Sequence, residues 1–396
     1  MFNFFKSKAS SYLGIDIGTK SIKLVELENV SGRPRLVTYG AVEVDSSVAR
    51  SDESQTSRQD QEKIAQAIKM LLQKTGAISR NAVAALPNFS VFSSLISLPK
   101  LGEKQIAEAV QWEAKKFVPM PIENVVLDWK ILNKNNSNQQ AGDSDKEKAP
   151  VSNAGGPEKP EQENAPDNSM DKNLAKCDTV LNILLTAAPR HLVERYVSIF
   201  KLAGLNLLSL ETESFALSRS LIGNEEGTIL IADVGSLTTD LTVVRFSVPV
   251  FSRSVNVGGK TITKAISDSM GIDIERAEQF KRDAGMGSSQ AGQTGQAETG
   301  GVSKIIEQSF SSVINEMKYT LETQAAQGRP VEKILLTGGS SSLPSLDSYI
   351  SKSLNIKVFI ANPWARVSYP RDLEEVLNQI AQRIGVSVGL AMREIE

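Results

Sequence analysis

The sequence predicts an α/β chain whose two halves repeat one another. Three observations carry that prediction. Strand-like and helix-like patterns are mixed from end to end, as in an α/β fold. Segment 13–27 (LGIDIGTKSIKLVEL) recurs as 229–244 (ILIADVGSLTTDLTVV), each reading strand, Asp-x-Gly turn, strand. A third strand, within 333–346 (KILLTGGSSSLPSL), runs into paired glycines.

Length and composition bound the rest. The chain has 396 residues, 40% hydrophobic and 23% charged, which suggests two or three folding units with cores that need no staples. Lys and Arg number 44 against 46 Asp and Glu, for a net charge of -2. Such a balance gives no global attraction to nucleic acid or to an anionic membrane. The single cysteine, Cys177, excludes a disulfide framework and a cysteine cluster for zinc or iron–sulfur. The single histidine, His191, excludes any site that needs two. The longest uncharged stretch, 81–99, contains prolines, asparagines and serines and is no membrane span.

Taken in order, the opening MFNFFKSKAS is not a secretory signal; Phe2, Phe4 and Phe5 beside Lys6 and Lys8 read as a loose terminus rather than a membrane contact. The hairpin 13–27 follows. Residues 45–60 are polar, serine-rich loop, after which Ile64, Ile68, Leu71 and Leu72 fall at helical spacing. VFSSLISLP (91–99) is a strand. Ile106, Val110 and Phe117 mark a helix ended by Pro119 and Pro121. Strands 125–132 and 179–188 flank segment 134–173, which holds only Val151 and Met170 from the large apolar set. That segment cannot bury enough surface to order itself and is expected to be a disordered insertion. HLVERYVSIFKLAG (191–204) is an amphipathic helix closed by Gly204. The stretch 285–301, with six glycines, is expected to be a flexible loop. Ile306, Phe310, Val313, Met317 and Leu321 share one face of a long helix. Leu373, Val376, Ile380 and Ile384 share a face of the last.

The repeat points to chemistry. At an offset of 217 it superposes Asp16 on Asp233, Gly18 on Gly235, Thr19 on Ser236, Ser21 on Thr238 and Leu24 on Leu241. Each aspartate ends a buried strand, and each turn offers a glycine, small hydroxyls and backbone amides suited to phosphate oxygens. Gly338-Gly339 permits close approach of a flat or anionic group, with Pro344 early in an expected helix whose N-terminus adds positive charge. Any one of these is an ordinary turn. The duplicated pair in order, followed by the third element, predicts a polyphosphate pinched between two halves. Asp16 and Asp233 would hold a hydrated Mg²⁺, Lys23 would reach a phosphate, and amides near Gly18, Thr19, Gly235 and Ser236 would bind its oxygens.

Other motifs are set aside. VNVGGKTITKAI (255–266) contains Gly-Lys-Thr, but Ser254 stands where a Walker A glycine is required, so Gly258-Gly259 reads as a turn opening a helix. His191 has no second ligand or nucleophile beside it and reads as a surface or capping residue. Trp112, Phe117 and Trp129 read as core or groove, and Cys177 has no CxxC partner.

These motifs resemble the actin-like ATPase superfamily (ribonuclease H-like fold). The first hairpin is similar to its phosphate-1 motif, the second to its phosphate-2 motif, and Thr337-Gly338-Gly339 to its adenosine motif. Within the superfamily the opening GIDIGTKSIKLVEL, residues 97–129 and ETESFALSR (211–219) most resemble the PilM family of type IV pilus assembly. The resemblance runs from about residue 12 to 396. It implies a two-lobed actin-like fold with an inserted FtsA/PilM-type (SHS2-like) subdomain. The first lobe would comprise 10–89 with 205–222 and 376–396. The inserted peptide-binding subdomain would be 90–204, containing the insert 134–173. The second lobe would be 223–375, with a smaller subdomain about 260–325. ATP and Mg²⁺ are the implied cofactors. Asp16 and Asp233 would hold the metal through water. Gly18, Thr19, Lys20, Ser21, Lys23, Gly235, Ser236, Gly259, Glu278, Lys281, Gly338, Gly339 and Ser340 would hold the nucleotide. Glu213 matches the place of a glutamate that orients the attacking water in related chaperones. Gly385 and Gly389 would let two connecting helices pack closely at the hinge.

The resemblance further implies a cytoplasmic ATP-binding scaffold, peripheral to the inner membrane, with slow or absent hydrolysis. Its partners would be the N-terminal peptide of a PilN-like inner-membrane protein, other pilus assembly proteins and possible copies of itself. The alternatives are an enzyme of the same fold, a small-molecule kinase or active ATPase, and an FtsA-like division protein. A kinase needs a base aspartate; Asp240 is the candidate, although it reads as the solvent-facing end of a strand. A division protein would end in an amphipathic membrane helix, whereas GLAMREIE follows directly on the last core helix.

Overall fold

The computed structural model describes residues 10–44, 57–99, 102–132, 180–286 and 296–395. In chain order the elements are β1 (Ser11–Ile17), β2 (Ser21–Val30), β3 (Arg33–Glu43), α1 (Arg58–Thr75), β4 (Asn81–Leu86), β5 (Phe92–Pro99), α2 (Glu103–Phe117), β6 (Val125–Ile131), β7 (Val180–Pro189) and α3 (Arg190–Ala203). They continue with β8 (Asn206–Thr212), α4 (Glu213–Leu221), β9 (Thr228–Val234), β10 (Thr239–Arg245), β11 (Val248–Val255), α5 (Gly259–Met270), α6 (Ile274–Ala284) and α7 (Gln296–Ala326). The last are β12 (Lys333–Thr337), α8 (Leu346–Leu354), β13 (Val358–Ile360) and α9 (Glu374–Met392).

Two five-stranded sheets have orders β3-β2-β1-β4-β8 and β11-β10-β9-β12-β13. Each is an antiparallel three-strand meander continued by two parallel strands. The sequence repeat is therefore a topological repeat, with β9 and β10 taking the places of β1 and β2. A third sheet has order β5-β7-β6. Two compact units result: Met1–Ser94, Val118–Leu127 and Thr186–Glu396 form one, and Leu95–Phe117 with Asp128–Leu185 the other.

The first sheet is covered by α1 and α3, where Ile64, Ile68, Tyr196, Ile199 and Phe200 bury Leu13, Ile15, Ile22 and Leu24. The second is covered by α5 and α7, where Ile262, Ile266, Phe310, Val313 and Met317 bury Leu230, Ala232, Leu241 and Val243. A further cluster joins the two sheets through helices α4 and α9: Val83, Ala85, Ala216, Leu217, Ile229, Ile231, Val386 and Leu390. Gly389 makes that helix pair possible. A Cβ there would sit 1.8 Å from the Ala216 carbonyl oxygen, so any side chain forces a backbone shift of the kind that costs about 1–3 kcal/mol. Arg219 ties the same crossing, donating to both oxygens of Glu211 (2.7 and 3.0 Å) and to the Gly389 carbonyl (2.6 Å).

Several local expectations are corrected. Of the expected loop 45–60, residues 45–56 lie outside the described residues, and 58–60 are already helix, because Ser57 accepts the Asp60 amide (3.2 Å) and caps α1. Of the glycine-rich 285–301, residues 287–295 lie outside the described residues, and the end is helix rather than loop: α7 already begins at Gln296 and carries Gly300 and Gly301 within it. On α2 the buried positions are Ile106, Val110 and Ala114, while Phe117 is exposed. On α9 the core face runs through Leu377, Ala381, Ile384 and Val388; Val376 is 46% exposed, one position off that stripe. Residues 1–9, the segment 134–173 and Cys177 lie outside the described residues. Among the described residues no helix is long and apolar enough to cross a membrane.

Candidate functional site

The first unit holds a cleft of about 1450 Å³. The two Asp-x-Gly turns and the Gly338-Gly339 turn all open onto it. Every residue assigned from the sequence lines it: Asp16, Gly18, Thr19, Lys20, Ser21, Lys23, Glu213, Asp233, Gly235, Ser236, Gly259, Glu278, Lys281, Gly338, Gly339 and Ser340. The cleft extends to an α3 face carrying His191, Arg195 and Tyr196, none of which the motifs flagged as site residues.

Strand register sets the charge pattern. In the first hairpin Asp16 faces Lys23 across the ladder, and Lys23 Nζ donates to Asp16 Oδ2 at 2.7 Å. In the second, Asp233 faces Asp240. Burial would lower the Lys23 pKa, but the Asp16 charge and hydrogen bond, helped by Asp233 and Glu213, raise it. Asp233 is pushed up to about 7, first by burial and then by the Asp240 charge, with Lys23 opposing. Burial likewise raises Asp240, against hydrogen bonds donated by Ser254 and Thr238. Asp240 is therefore not a solvent-facing strand end. It is 7% exposed and lines the cleft. The offset of 217 that pairs Asp16 with Asp233 also pairs Lys23 with Asp240, so the repeat itself carried the signal.

Glu213 opens α4, and its Oε2 accepts the Asn88 amide at 3.1 Å. Burial above all, then the charges of Asp240, Asp16 and Asp233, holds its carboxyl well above the usual range. Four carboxylates thus share one cleft wall with one lysine. Among the described residues no three metal-binding side chains come together as a ligand set. This wall fits a cation that keeps much of its water and takes further oxygens from a ligand, as Mg²⁺ does.

The Gly338-Gly339 turn is fastened to the second hairpin. Gly338 has φ +89, and a Cβ on it would lie 2.2 Å from Asp233 Oδ1, so only glycine fits. Its amide donates to the Gln382 carbonyl (2.7 Å), while Ser340 donates through N to Val234 O and through Oγ to Gly235 O, both at 2.9 Å. No helix follows directly on these glycines: α8 starts only at Leu346, so no helix N-terminus sits at this turn. A second correction concerns amides. Gly18 N closes its own turn onto Ser21 O (3.1 Å), and Gly235 N onto Thr238 O (2.9 Å). These two amides are engaged, because a tight hairpin turn needs its own closing bond.

Glu278 and Lys281 line the far wall but satisfy each other. Lys281 Nζ donates to Glu278 Oε2 (2.6 Å), Thr263 Oγ1 (2.8 Å) and Gly259 O (3.0 Å). Burial lowers the Lys281 pKa. Burial would raise Glu278, but hydrogen bonds from Lys281 and Thr263 lower it instead.

Two sheets of one topology around such a cleft define an actin-like fold. A solved structure titled "ethanolamine utilization protein EutJ from Carboxydothermus hydrogenoformans" shares that fold, with TM-score 0.50 and 16% identity over 97% of this chain and 89% of that one. The chain belongs to the family described as type IV pilus assembly protein PilM, whose model matches residues 14–145 and 167–395. It is also similar to a solved "PilM-PilN type IV pilus biogenesis complex", with TM-score 0.75 and 26% identity, over 97% of this chain and 98% of that one.

Proposed function

We propose that this chain is an Mg·ATP-binding scaffold of type IV pilus assembly that docks the N-terminal tail of a PilN-like inner-membrane protein. One observation carries the nucleotide reading: Asp16, Lys23, Asp233 and Gly338 open onto one cleft from two repeated hairpins and a glycine turn. In this reading Mg²⁺ supplies charge neutralisation for the phosphates and is held through water by Asp16 and Asp233. Lys23 meets a phosphate oxygen. Since the Gly18 and Gly235 amides are engaged, the neighbouring turn residues Thr19 and Ser236 supply the backbone donors. The adenine lies against Gly338-Gly339, where no side chain intrudes. Glu213, whose carboxyl pKa is pushed upward by burial and by the neighbouring Asp240, Asp16 and Asp233 charges, would face the attacking water, and hydrolysis in this reading is slow.

Calorimetry with Mg·ATP tests the site. Asp16→Ala and Asp233→Ala should each weaken binding by roughly 10- to 150-fold, the equivalent of a charge-assisted contact of about 1.5–3 kcal/mol. Unchanged affinity in both variants rejects it. The partner reading is supported by the PilM-PilN complex that this chain resembles. A synthetic N-terminal peptide of the PilN-like protein should bind residues 90–204, and its affinity should differ with and without Mg·ATP. Equal affinities would remove the coupling. A phosphotransferase reading is favoured only by Asp240, a buried carboxylate in the cleft; ATP consumption that depends on Asp240 would support it.

A further inference from the structure

Asn88 opens a 3₁₀ turn, Asn88–Ser90, between β4 and β5. It is 9% exposed, and both its backbone and its side chain are committed to α4. The backbone N–H donates to Glu213 Oε2 at 3.1 Å. The side-chain Oδ1 accepts from Ser214 N (3.2 Å) and from Ser214 Oγ (2.8 Å). Ser214 Oγ in turn lies 2.9 Å from Thr242 Oγ1 on β10 and 3.3 Å from Ser252 Oγ on β11. One asparagine therefore joins the first sheet, the α4 helix start and the second sheet at the back of the cleft.

The orientation of the amide is not ambiguous. A backbone N–H can only donate, so the Asn88 atom facing Ser214 N must be the carbonyl oxygen. That leaves Nδ2 buried with no partner among the described residues. A buried donor without an acceptor is disfavoured, and native structures rarely keep one without reason. The orphaned Nδ2 marks the place in this network where an acceptor is lacking. The next two residues, Phe89 and Ser90, line the cleft, and β5 begins at Phe92. Glu213 is thus joined to β5 through the Asn88 N–H and the short 3₁₀ turn that follows it.

We propose that Asn88 is a positioning residue that fixes the Glu213 carboxylate in the cleft and transmits its displacement by nucleotide to β5. The inference deepens the nucleotide reading above and rests on it. The test is hydrogen exchange of residues 92–99 in the full chain, with and without Mg·AMP-PNP, with nucleotide affinity measured by calorimetry on the same samples. In the wild type, nucleotide should change exchange in β5 by about fivefold or more. Glu213→Ala, which removes the acceptor of the Asn88 N–H, should lose that change. Asn88→Ala and Ser214→Ala keep that N–H but release the turn from the start of α4, so they should still bind nucleotide and show the change reduced by about half or more. A merely structural asparagine would lower the melting temperature and leave the nucleotide-dependent change intact, which overturns the proposal. Wild-type binding without any change in β5 overturns it too and leaves the nucleotide reading standing. No binding by the wild type overturns both.

Discussion

In the first hairpin the turn aspartate faces a lysine; in the second, at the same register, it faces another aspartate. The backbones match strand for strand, so the difference is chemical. Asp16 is 4% exposed and carries its counter-ion with it. Asp233 has no such partner across the ladder, and its pKa rises to about 7. One half of the cleft is electrostatically complete, and the other waits for positive charge. Lys23 in one hairpin and Asp240 at the same register of the other make the two jaws unlike, and the second is the one that a cation would satisfy.

The largest test cuts the complete jaw. Lys23→Ala leaves Asp16 buried and unpaired, and should cost about 3 kcal/mol of stability by urea denaturation. A loss under about 1 kcal/mol would mean that water already screens Asp16 and that the two jaws are alike. A smaller effect, of opposite sign, is expected from the incomplete jaw. Because the Asp233 pKa is raised on folding, its contribution to stability is full below about pH 4 and is lost as pH rises through about 7. Asp233→Asn removes that loss. In metal-free buffer the variant should be more stable than wild type by about 1–2 kcal/mol at pH 8, with the gap closing toward pH 4. Thermal melts across this range would show it, and a constant gap would reject the assignment. Mg·ATP should reverse the ranking at pH 8. The smallest effect is reserved for the turn. Lys20 pairs with Glu43 at 3.8 Å with both side chains well exposed, so Lys20→Ala should change stability by less than about 0.5 kcal/mol.

Much of the site was legible because it is local in sequence. An aspartate at a strand end, a glycine in the turn and hydroxyls beside it lie within six residues, and their recurrence at a fixed offset lifts them above ordinary turns. Gly338-Gly339 was visible for the same reason. Asn88 was not, because its role arises from contacts more than a hundred residues away, with Glu213 and Ser214. The burial of Asp240 is not legible locally, because a polar residue near a strand end looks solvent-facing until β11 pairs beside it and Ser254 donates to it. The α9 face slipped by one position, as Val376 against Leu377, since a helix with apolar residues on several sides gives no sharp stripe until its neighbours are placed.

The sequence by itself determined most of the elements, the repeat and the turn residues that open onto the cleft, since backbone turns and periodic burial depend on near neighbours along the chain. Only the tertiary structure decided the electrostatic surroundings of those residues and the links between them. Both depend on burial and on distances of a few ångströms between strands, and strand pairing is long-range information that no local pattern records.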